Sequence, residues 1–501
     1  MSSTRHRQTP PPCLTWAHLF PANAAYDCAT GPDWFGLKLL TIARGSGQIL
    51  SISSGQAHST SSGQAHSMNS GQALSTSSGR AHPTTPTPAL NSDLPVHVMW
   101  NDASPALERA AAGDGIVAIN CRKFPVARLE AAGYKYIRHF AALPNLKNAR
   151  WFVPLDSPAV ASAGLSLYTP TRISAKIKRG LLRTAMHSRL PIWYRDHVWI
   201  AQREVPRIES TINPLFPGQD VRWALSSGAP EGARNRKASA LVIAADGKML
   251  AFVKMAQSDI SRRILSREAS VLEHLAKVPG VMNSVPQLLF SGEIEDLGVL
   301  AQKPLAGAPA PLGLTAAHRA FLTSLQSPLM VKAADTSMAA GLQVRLRALP
   351  TLRPDLAAIC ERVMAELRQF EVPMTIVHGD FAPWNLRIAG GKISAFDWEY
   401  GEVHALPLID EIHYLLQCGW LLEEWTTPEA LACLDKLAEN RPLGLEPREV
   451  ESISSAYLLD ALARLLAEGY EDEEEVISWH RRLLDCLDFR AAHGQMEVAV
   501  A

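Results

Sequence analysis

From Pro95 onward, short apolar runs alternate with stretches of helical spacing, a texture absent from the residues before it. Val96–Trp100, Ile116–Cys121 and Tyr136–Ala142 predict strands, and Ser104–Ala112 and Pro125–Ala132 predict the helices between them. This is the pattern of a small α/β region. Farther along, Ile173, Ile177 and Leu181 recur at every fourth position among basic side chains, which predicts a helix with one apolar stripe beside a basic face. Such a helix either packs on its own domain with its charges in water or lies on an anionic membrane or a partner.

Near Val221 the pattern becomes more informative. Val221, Trp223 and Leu225 alternate as in a strand and lead into a loop of small residues that includes Ser227 and Gly228. Two apolar runs follow, Ala240–Ala244 and Met249–Val253, joined across Asp246-Gly247, which is a strong hairpin signal. Lys254 stands at the far end of the second run. A helical pattern comes next, in which Ile264, Glu268, Val271, Leu272 and Leu275 share one stripe. A carboxylate on a buried face is costly unless it is paired. Lys254 is the partner the sequence offers; the alternative is a helix rotated so that Glu268 meets water. Another helix is predicted over Pro354–Phe370, ended by Pro373.

Residues 51–82 repeat an eight-residue unit, Ser-Ser-Gly-Gln-Ala-His-Ser-Thr, with Gly55, Gly63, Gly71 and Gly79 in register. Ile52, Met68 and Leu74 are the sizeable apolar side chains in that stretch, too few to offset the entropy of ordering it. We therefore expect residues 1–94 to be a disordered, low-complexity segment, although its recurring His58, His66 and His82 are of a type that can bind metal. The glycines of Gly113-Asp114-Gly115 follow a helix and precede a strand, the reverse of what a dinucleotide fingerprint needs.

Charge narrows the function classes. The 49 basic side chains balance the 49 acidic ones, which argues against a dedicated nucleic-acid binder. The balance hides a stretch between Asp156 and Asp196 that has no acid but carries Arg172, Lys176, Lys178, Arg179, Arg183, Arg189 and Arg195. Seven scattered cysteines without a CxxC spacing suggest neither a disulfide framework nor a zinc ribbon, and fit a reducing, cytoplasmic setting. No apolar run approaches the ~18 residues of a membrane span.

The strongest chemical signal follows Pro373. His378-Gly379-Asp380-Phe381-Ala382-Pro383-Trp384-Asn385 has the His-x-Asp-x4-Asn spacing of a kinase catalytic loop, in which the aspartate takes the acceptor hydroxyl proton and the asparagine holds magnesium. Asp397 follows, and Ala389-Gly390-Gly391-Lys392 between them makes a plausible hairpin turn. If Ala389 pairs with Lys392, Asn385 falls opposite Phe396, and two hard oxygen ligands converge as magnesium requires.

These residues, with Phe396-Asp397-Trp398-Glu399, resemble the aminoglycoside phosphotransferase and choline kinase-like family over roughly residues 220–490. The resemblance implies an α+β, two-lobed protein-kinase-like fold with a β-rich N-lobe over 216–305 and a mainly helical C-lobe over 306–495, preceded by an accessory α/β region over 95–215. It implies a phosphotransferase that moves the γ-phosphate of ATP to a hydroxyl of a small molecule, with Asp380 and His378 as the catalytic-loop residues, Asp380 as base or acceptor-orienting group and His378 bracing the loop. Asn385 and Asp397 would be the Mg2+ ligands. Lys254, Glu268, Ser227, Gly228, Gln302, Lys303 and Leu305 would form the nucleotide site, the last three as the interlobe hinge. Two features depart from the family pattern: the loop after Leu225 is not Gly-x-Gly-x-x-Gly, and residues 95–215 have no counterpart in the smallest members.

An inactive nucleotide-binding scaffold is the competing class, and the absence of an Ala-Pro-Glu element after Asp397 argues against a protein kinase. Acids after Asp397, among them Glu399, Glu402, Asp410, Glu411, Glu423 and Glu424, could line a pocket for a cationic acceptor or simply keep the helices soluble. His274 and His413, set in helical patterns, are expected to be structural.

Overall fold

The computed structural model describes residues 26–28, 96–100, 115–121, 123–146, 148–167, 173–188, 194–227, 237–347, 354–468 and 481–488. The repeats at 51–82, the helix expected over Ser104–Ala112, and Gly228 lie outside the described residues. The chain forms two compact units, one holding residues up to Ala161 and again from Pro170 to Pro206, the other holding Ser162–Thr169 and everything from Arg207. The second unit thus begins ahead of the boundary expected at residue 215. Asn213 helps to explain this, because its side chain accepts the indole N–H of Trp223 at 2.8 Å.

In the first unit, strands β1 (Tyr26–Cys28), β2 (Val96–Trp100), β3 (Gly115–Ile119), β4 (Tyr136–Leu143), β5 (Trp151–Pro154) and β6 (His197–Gln202) make a sheet in the order β1-β2-β3-β6-β4-β5. The first three run parallel, and the remaining pairings are antiparallel. β1, β5 and β6 were not anticipated from the sequence, and β1 lies within the 1–94 stretch expected to be disordered, paired there with β2. Helix α1 (Val126–Ala131) buries Leu129, which joins Ile116, Ala118, Phe124, Tyr134 and Ala201 in one core. Helix α2 (Ile173–His187) forms where the apolar stripe predicted it, but the stripe does not face inward: Ala185 and Met186 are buried, while Ile177 and Leu181 are exposed. Among the described residues no helix is long and apolar enough to cross a membrane.

The second unit opens with α3 (Arg207–Ile212) and an antiparallel sheet of β7 (Val221–Ser226), β8 (Ala238–Ala244), β9 (Met249–Ala256), β10 (Leu288–Ile294) and β11 (Leu297–Gln302), in the order β7-β8-β9-β11-β10. The β8–β9 turn follows the expected chemistry. Gly247 takes φ +89°, and the Lys248 N–H bonds the Asp246 side chain at 2.9 Å. Helix α4 (Asp259–Leu275) packs on β9, β10 and β11 through Leu265 and Ala269, and it buries Glu268 as the sequence suggested.

Beyond β12 (Ala308–Pro309) the unit is mainly helical: α5 (Ala316–Ser324), α6 (Ser337–Arg347), α7 (Pro354–Leu367), α8 (Ile409–Leu422), α9 (Thr427–Glu439) and α10 (Pro447–Glu468). Residues of α6 through α10 share one large apolar core. Two small sheets lie among these helices, β12-β15-β16 and β13-β14-β17, built from β13 (Gln326–Lys332), β14 (Glu371–Val377), β15 (Leu386–Ala389), β16 (Lys392–Ala395) and β17 (Glu402–Ala405). α7 ends at Leu367, short of the expected Phe370, because the chain turns there into β14, where Pro373 pairs with Met330. A β-rich lobe followed by a helical lobe is the protein-kinase-like arrangement expected from the sequence.

Candidate active site

The centre of the site is a hairpin. β15 and β16 pair Ala389 with Lys392 and Leu386 with Ala395, the register the turn predicts. One step beyond the ladder, the Phe396 N–H donates to the Asn385 carbonyl at 3.0 Å, so Asn385 and Asp397 are held side by side. Asp397 adopts φ +72°, a left-handed backbone that costs free energy for a residue with a side chain and is typical of functional sites.

The loop that carries Asp380 is braced from below. Both oxygens of the buried Asp410 carboxylate accept loop backbone N–H groups, from His378 at 2.7 Å and from Gly379 at 2.9 Å. Gly379 has φ +79°, and a Cβ there would run into the Tyr400 carbonyl, so the loop needs glycine at this point. The His378 ring is fully buried; its Nε2 donates to the Phe396 carbonyl at 2.8 Å and its Nδ1 accepts the Asp380 N–H at 3.3 Å. With both nitrogens committed to backbone groups, His378 ties the loop to the strand leading to Asp397. That is the bracing role the resemblance implies for it, and with both ring nitrogens so engaged His378 is a positioning side chain of the loop and not one of the catalytic groups. Asp380 is more open. Its Oδ2 accepts the Asn385 side-chain amide at 2.8 Å, and the same amide reaches the Asp380 carbonyl at 2.9 Å.

Lys254 reaches this hairpin from β9. Its ammonium donates to both oxygens of Glu268, at 2.8 and 2.6 Å, and also bonds Asp397. Glu399 lies 3.8 Å from the same ammonium and is bonded by Lys237 as well. Burial alone would drive the Lys254 proton off, but Asp397, Glu268 and Glu399 together raise its pKa above the ordinary lysine value. Burial pushes Asp397 up, yet Lys254 outweighs it and holds the carboxyl down at about 2. Glu399 shows the opposite balance: burial and the neighbouring Asp397 push it up to about 7. Burial likewise pushes Glu268 up, against the pull of Lys254. Oxygens of Glu268, Asp397 and Glu399 lie within 4.8 Å of one another, a donor set suited to a cation.

The expected hinge continues β11, in which Leu300 pairs with Lys254 and Gln302 with Phe252. Gln302 is buried with its side-chain Oε1 unpartnered, and the Lys303 N–H is taken by the Gln287 carbonyl at 2.8 Å. Leu305 is half-buried just beyond, and Ser227 is buried at the end of β7.

Of the acids considered for a cationic pocket, Glu399 lies beside Asp397 and Lys254, and four others have partners elsewhere. Asp410 serves the loop backbone, Glu411 faces Arg319, Glu402 accepts the Ser337 hydroxyl, and Glu423 accepts the Trp425 indole N–H.

Sequence reasoning missed His413. Its Nε2 lies 3.0 Å from Asp380 Oδ1 and its Nδ1 2.9 Å from the Tyr457 hydroxyl. The available signal was its position three residues after Asp410, on the same face of α8.

No family model and no curated protein matches the chain. Among solved structures it is similar to a thermostable mutant of aminoglycoside phosphotransferase APH(4)-Ia in ternary complex with ADP and hygromycin B, at 14% identity over 56% of this chain and 98% of that one, TM-score 0.39. It is also similar to a choline/ethanolamine kinase family protein from Mesorhizobium loti, at 15% identity over 56% and 92%, TM-score 0.37. A third is amicoumacin kinase hAmiN in complex with AMP-PNP, Ca2+ and Ami, at 13% identity over 54% and 89%, TM-score 0.37. These likenesses concern the fold alone.

Proposed function

We propose that the second unit is an ATP-dependent phosphotransferase acting on a hydroxyl of a small molecule: an aminoglycoside, an amino alcohol or a sugar-like compound. The observation that carries this is one chain of contacts. Glu268 holds Lys254, Lys254 bonds Asp397, Asp397 follows the Phe396 N–H that bonds Asn385, and the Asn385 side chain bonds Asp380. The polar groups that phosphoryl transfer needs therefore meet at one hairpin.

In this reading Asp380 orients the acceptor hydroxyl and takes its proton. The acceptor oxygen bonds to the γ-phosphorus, the bond from that phosphorus to the bridging oxygen breaks, and ADP leaves with the electron pair. Lys254 holds the nucleotide phosphates, Ser227 leads into the loop over them, and the backbone at Gln302, Lys303 and Leu305 meets the adenine. Asn385 and Asp397 would hold Mg2+, and they suit it. Asp397 is kept anionic by Lys254, and the Asn385 amide turns its nitrogen to Asp380, leaving its oxygen for a hard cation. When bound, the ion neutralises charge on the phosphates.

ADP release, measured over a panel of amino-hydroxyl compounds, tests the reading. The parent should turn over at least one of them, and Asp380→Ala should lose roughly 10²-fold or more in rate. Equal turnover by the two proteins would remove Asp380 from the mechanism, and tight nucleotide binding without turnover would favour an inactive scaffold.

A further inference from the structure

α8 grips the loop of Asp380 twice. Asp410 takes the backbone, as described above, and His413, three residues on, takes the side chain: its Nε2 stands 3.0 Å from Asp380 Oδ1. Behind it, α10 presents the fully buried Tyr457, whose hydroxyl lies 2.9 Å from His413 Nδ1. His413 is itself buried, at 7% exposure, so neither of its nitrogens turns to bulk water.

The direction of both hydrogen bonds follows from what each group can offer. Burial pushes the Tyr457 phenol well above its ordinary value, so its O–H is present and needs an acceptor. Among the described residues, His413 Nδ1 is the hydrogen-bond partner of that hydroxyl. Nδ1 is therefore unprotonated, Nε2 carries the ring proton, and it is Nε2–H that donates to Asp380. A doubly protonated ring would leave the buried phenol O–H without an acceptor.

We propose that His413 is a positioning residue for phosphoryl transfer, locked as the Nε2–H tautomer by Tyr457 so that it fixes the Asp380 carboxylate against the acceptor hydroxyl. Oδ1 is then held by His413 and Oδ2 by the Asn385 amide, which fixes the carboxylate plane and leaves a lone pair on each oxygen free. His413 keeps its proton throughout; the acceptor proton goes to Asp380 and from there to water. The inference rests on the phosphotransferase reading for its consequence in rate, but not for its geometry.

Both parts are tested on the full chain. With 15N-labelled histidine, long-range 1H–15N correlations should show one imidazole as the Nε2–H tautomer, assigned to His413 by its disappearance in His413→Gln. Tyr457→Phe should convert that resonance to a tautomer mixture. An Nδ1–H or doubly protonated ring in the parent overturns the assignment, whether or not the protein proves to be a kinase. In turnover, His413→Leu should lower kcat roughly 10- to 100-fold with KM for ATP within about twofold, and His413→Gln, which can still donate, should restore most of it. Parental kcat in a folded His413→Leu protein, or a loss confined to KM, removes the positioning role. Failure of the parent to release ADP would count against the phosphotransferase reading and leave the tautomer result to decide the geometry.

Discussion

In the first unit the half-buried ring of His139 lies flat on Trp199, ring centroids 3.9 Å apart, with its Nε2 3.3 Å from Nδ1 of His197. In the second, the buried ammonium of Lys254 sits between the carboxylates of Glu268 and Asp397. Both are titratable groups taken largely out of water, but their fates are opposite. Burial pushes His139 down to about 3, with the neighbouring His197 adding to it, so the ring is kept neutral. The nearby Asp196 carboxylate is occupied by the Leu146 N–H at 2.6 Å. Lys254 keeps its charge because carboxylates were brought to it. A neutral buried group is stable at ordinary pH and gives way in acid. A charged one depends on its partners at any pH, and in exchange keeps a positive charge inside the fold.

The largest expected effect tests that dependence on partners. Lys254→Met leaves Glu268, whose side chain is fully buried, without its counter-charge, and breaking a buried pair in this way typically costs about 3–5 kcal/mol. The double variant Lys254→Met/Glu268→Met replaces the pair by apolar groups and should recover much of the loss. Denaturant unfolding, with hydrogen exchange to report on β9 and α4, measures both. If the single and double variants are equally unstable, pairing is not what keeps Glu268 buried, and the contrast with His139 fails.

Acid tests the other side. The folded-state pKa of His139, about 3, lies below the ordinary histidine value of 6.5. As pH falls the unfolded chain therefore takes up the proton first. The contribution is intact above about 6.5, falls away between 6.5 and about 3, and is gone below that. By pH 5 the loss is up to about 2 kcal/mol, or roughly thirtyfold in the protection of β4 and β6 amides once intrinsic exchange rates are corrected. His139→Phe keeps the stacking on Trp199 and should flatten this dependence. A parent whose β4 and β6 protection is the same at pH 7 and pH 5 would show that the ring is not held neutral by burial.

The charged site was far more legible in the sequence than the neutral one, for physical reasons. Lys254 and Glu268 are fourteen residues apart, joined by a turn and a helix whose periods can be read, so their meeting follows from local spacing. The Asn385–Asp397 convergence follows equally from a hairpin turn. His413 reaches Asp380 across 33 residues and Tyr457 across 44, distances at which no local periodicity specifies the contact. The His139–His197 contact spans 58 residues and depends on β6, a strand missed between a loop and a helix start. The exposed side of α2 was misleading in another way: Ile177 and Leu181 have the spacing of a buried stripe, but the helix packs through Ala185 and Met186. Periodicity marks a face without saying which face turns inward.

The smallest expected effect asks how local the support of the charged pair is. α4 begins at Ser258, whose Oγ accepts the Ser261 N–H at 3.2 Å and so satisfies one of the donors a helix start leaves open. Ser258→Ala should cost about 1 kcal/mol. Glu268 lies more than two turns beyond that cap, on the stripe with Leu265, Leu272 and Leu275, and tertiary packing holds it more firmly than the first turn does. Faster hydrogen exchange should therefore stay within residues 259–262, and the Lys254–Glu268 pair should survive, in contrast to Lys254→Met. If the loss of protection runs on to Leu272 and Leu275, α4 stands or falls as one unit with its cap, and the charged pair depends on an exposed serine as much as on the lysine it surrounds.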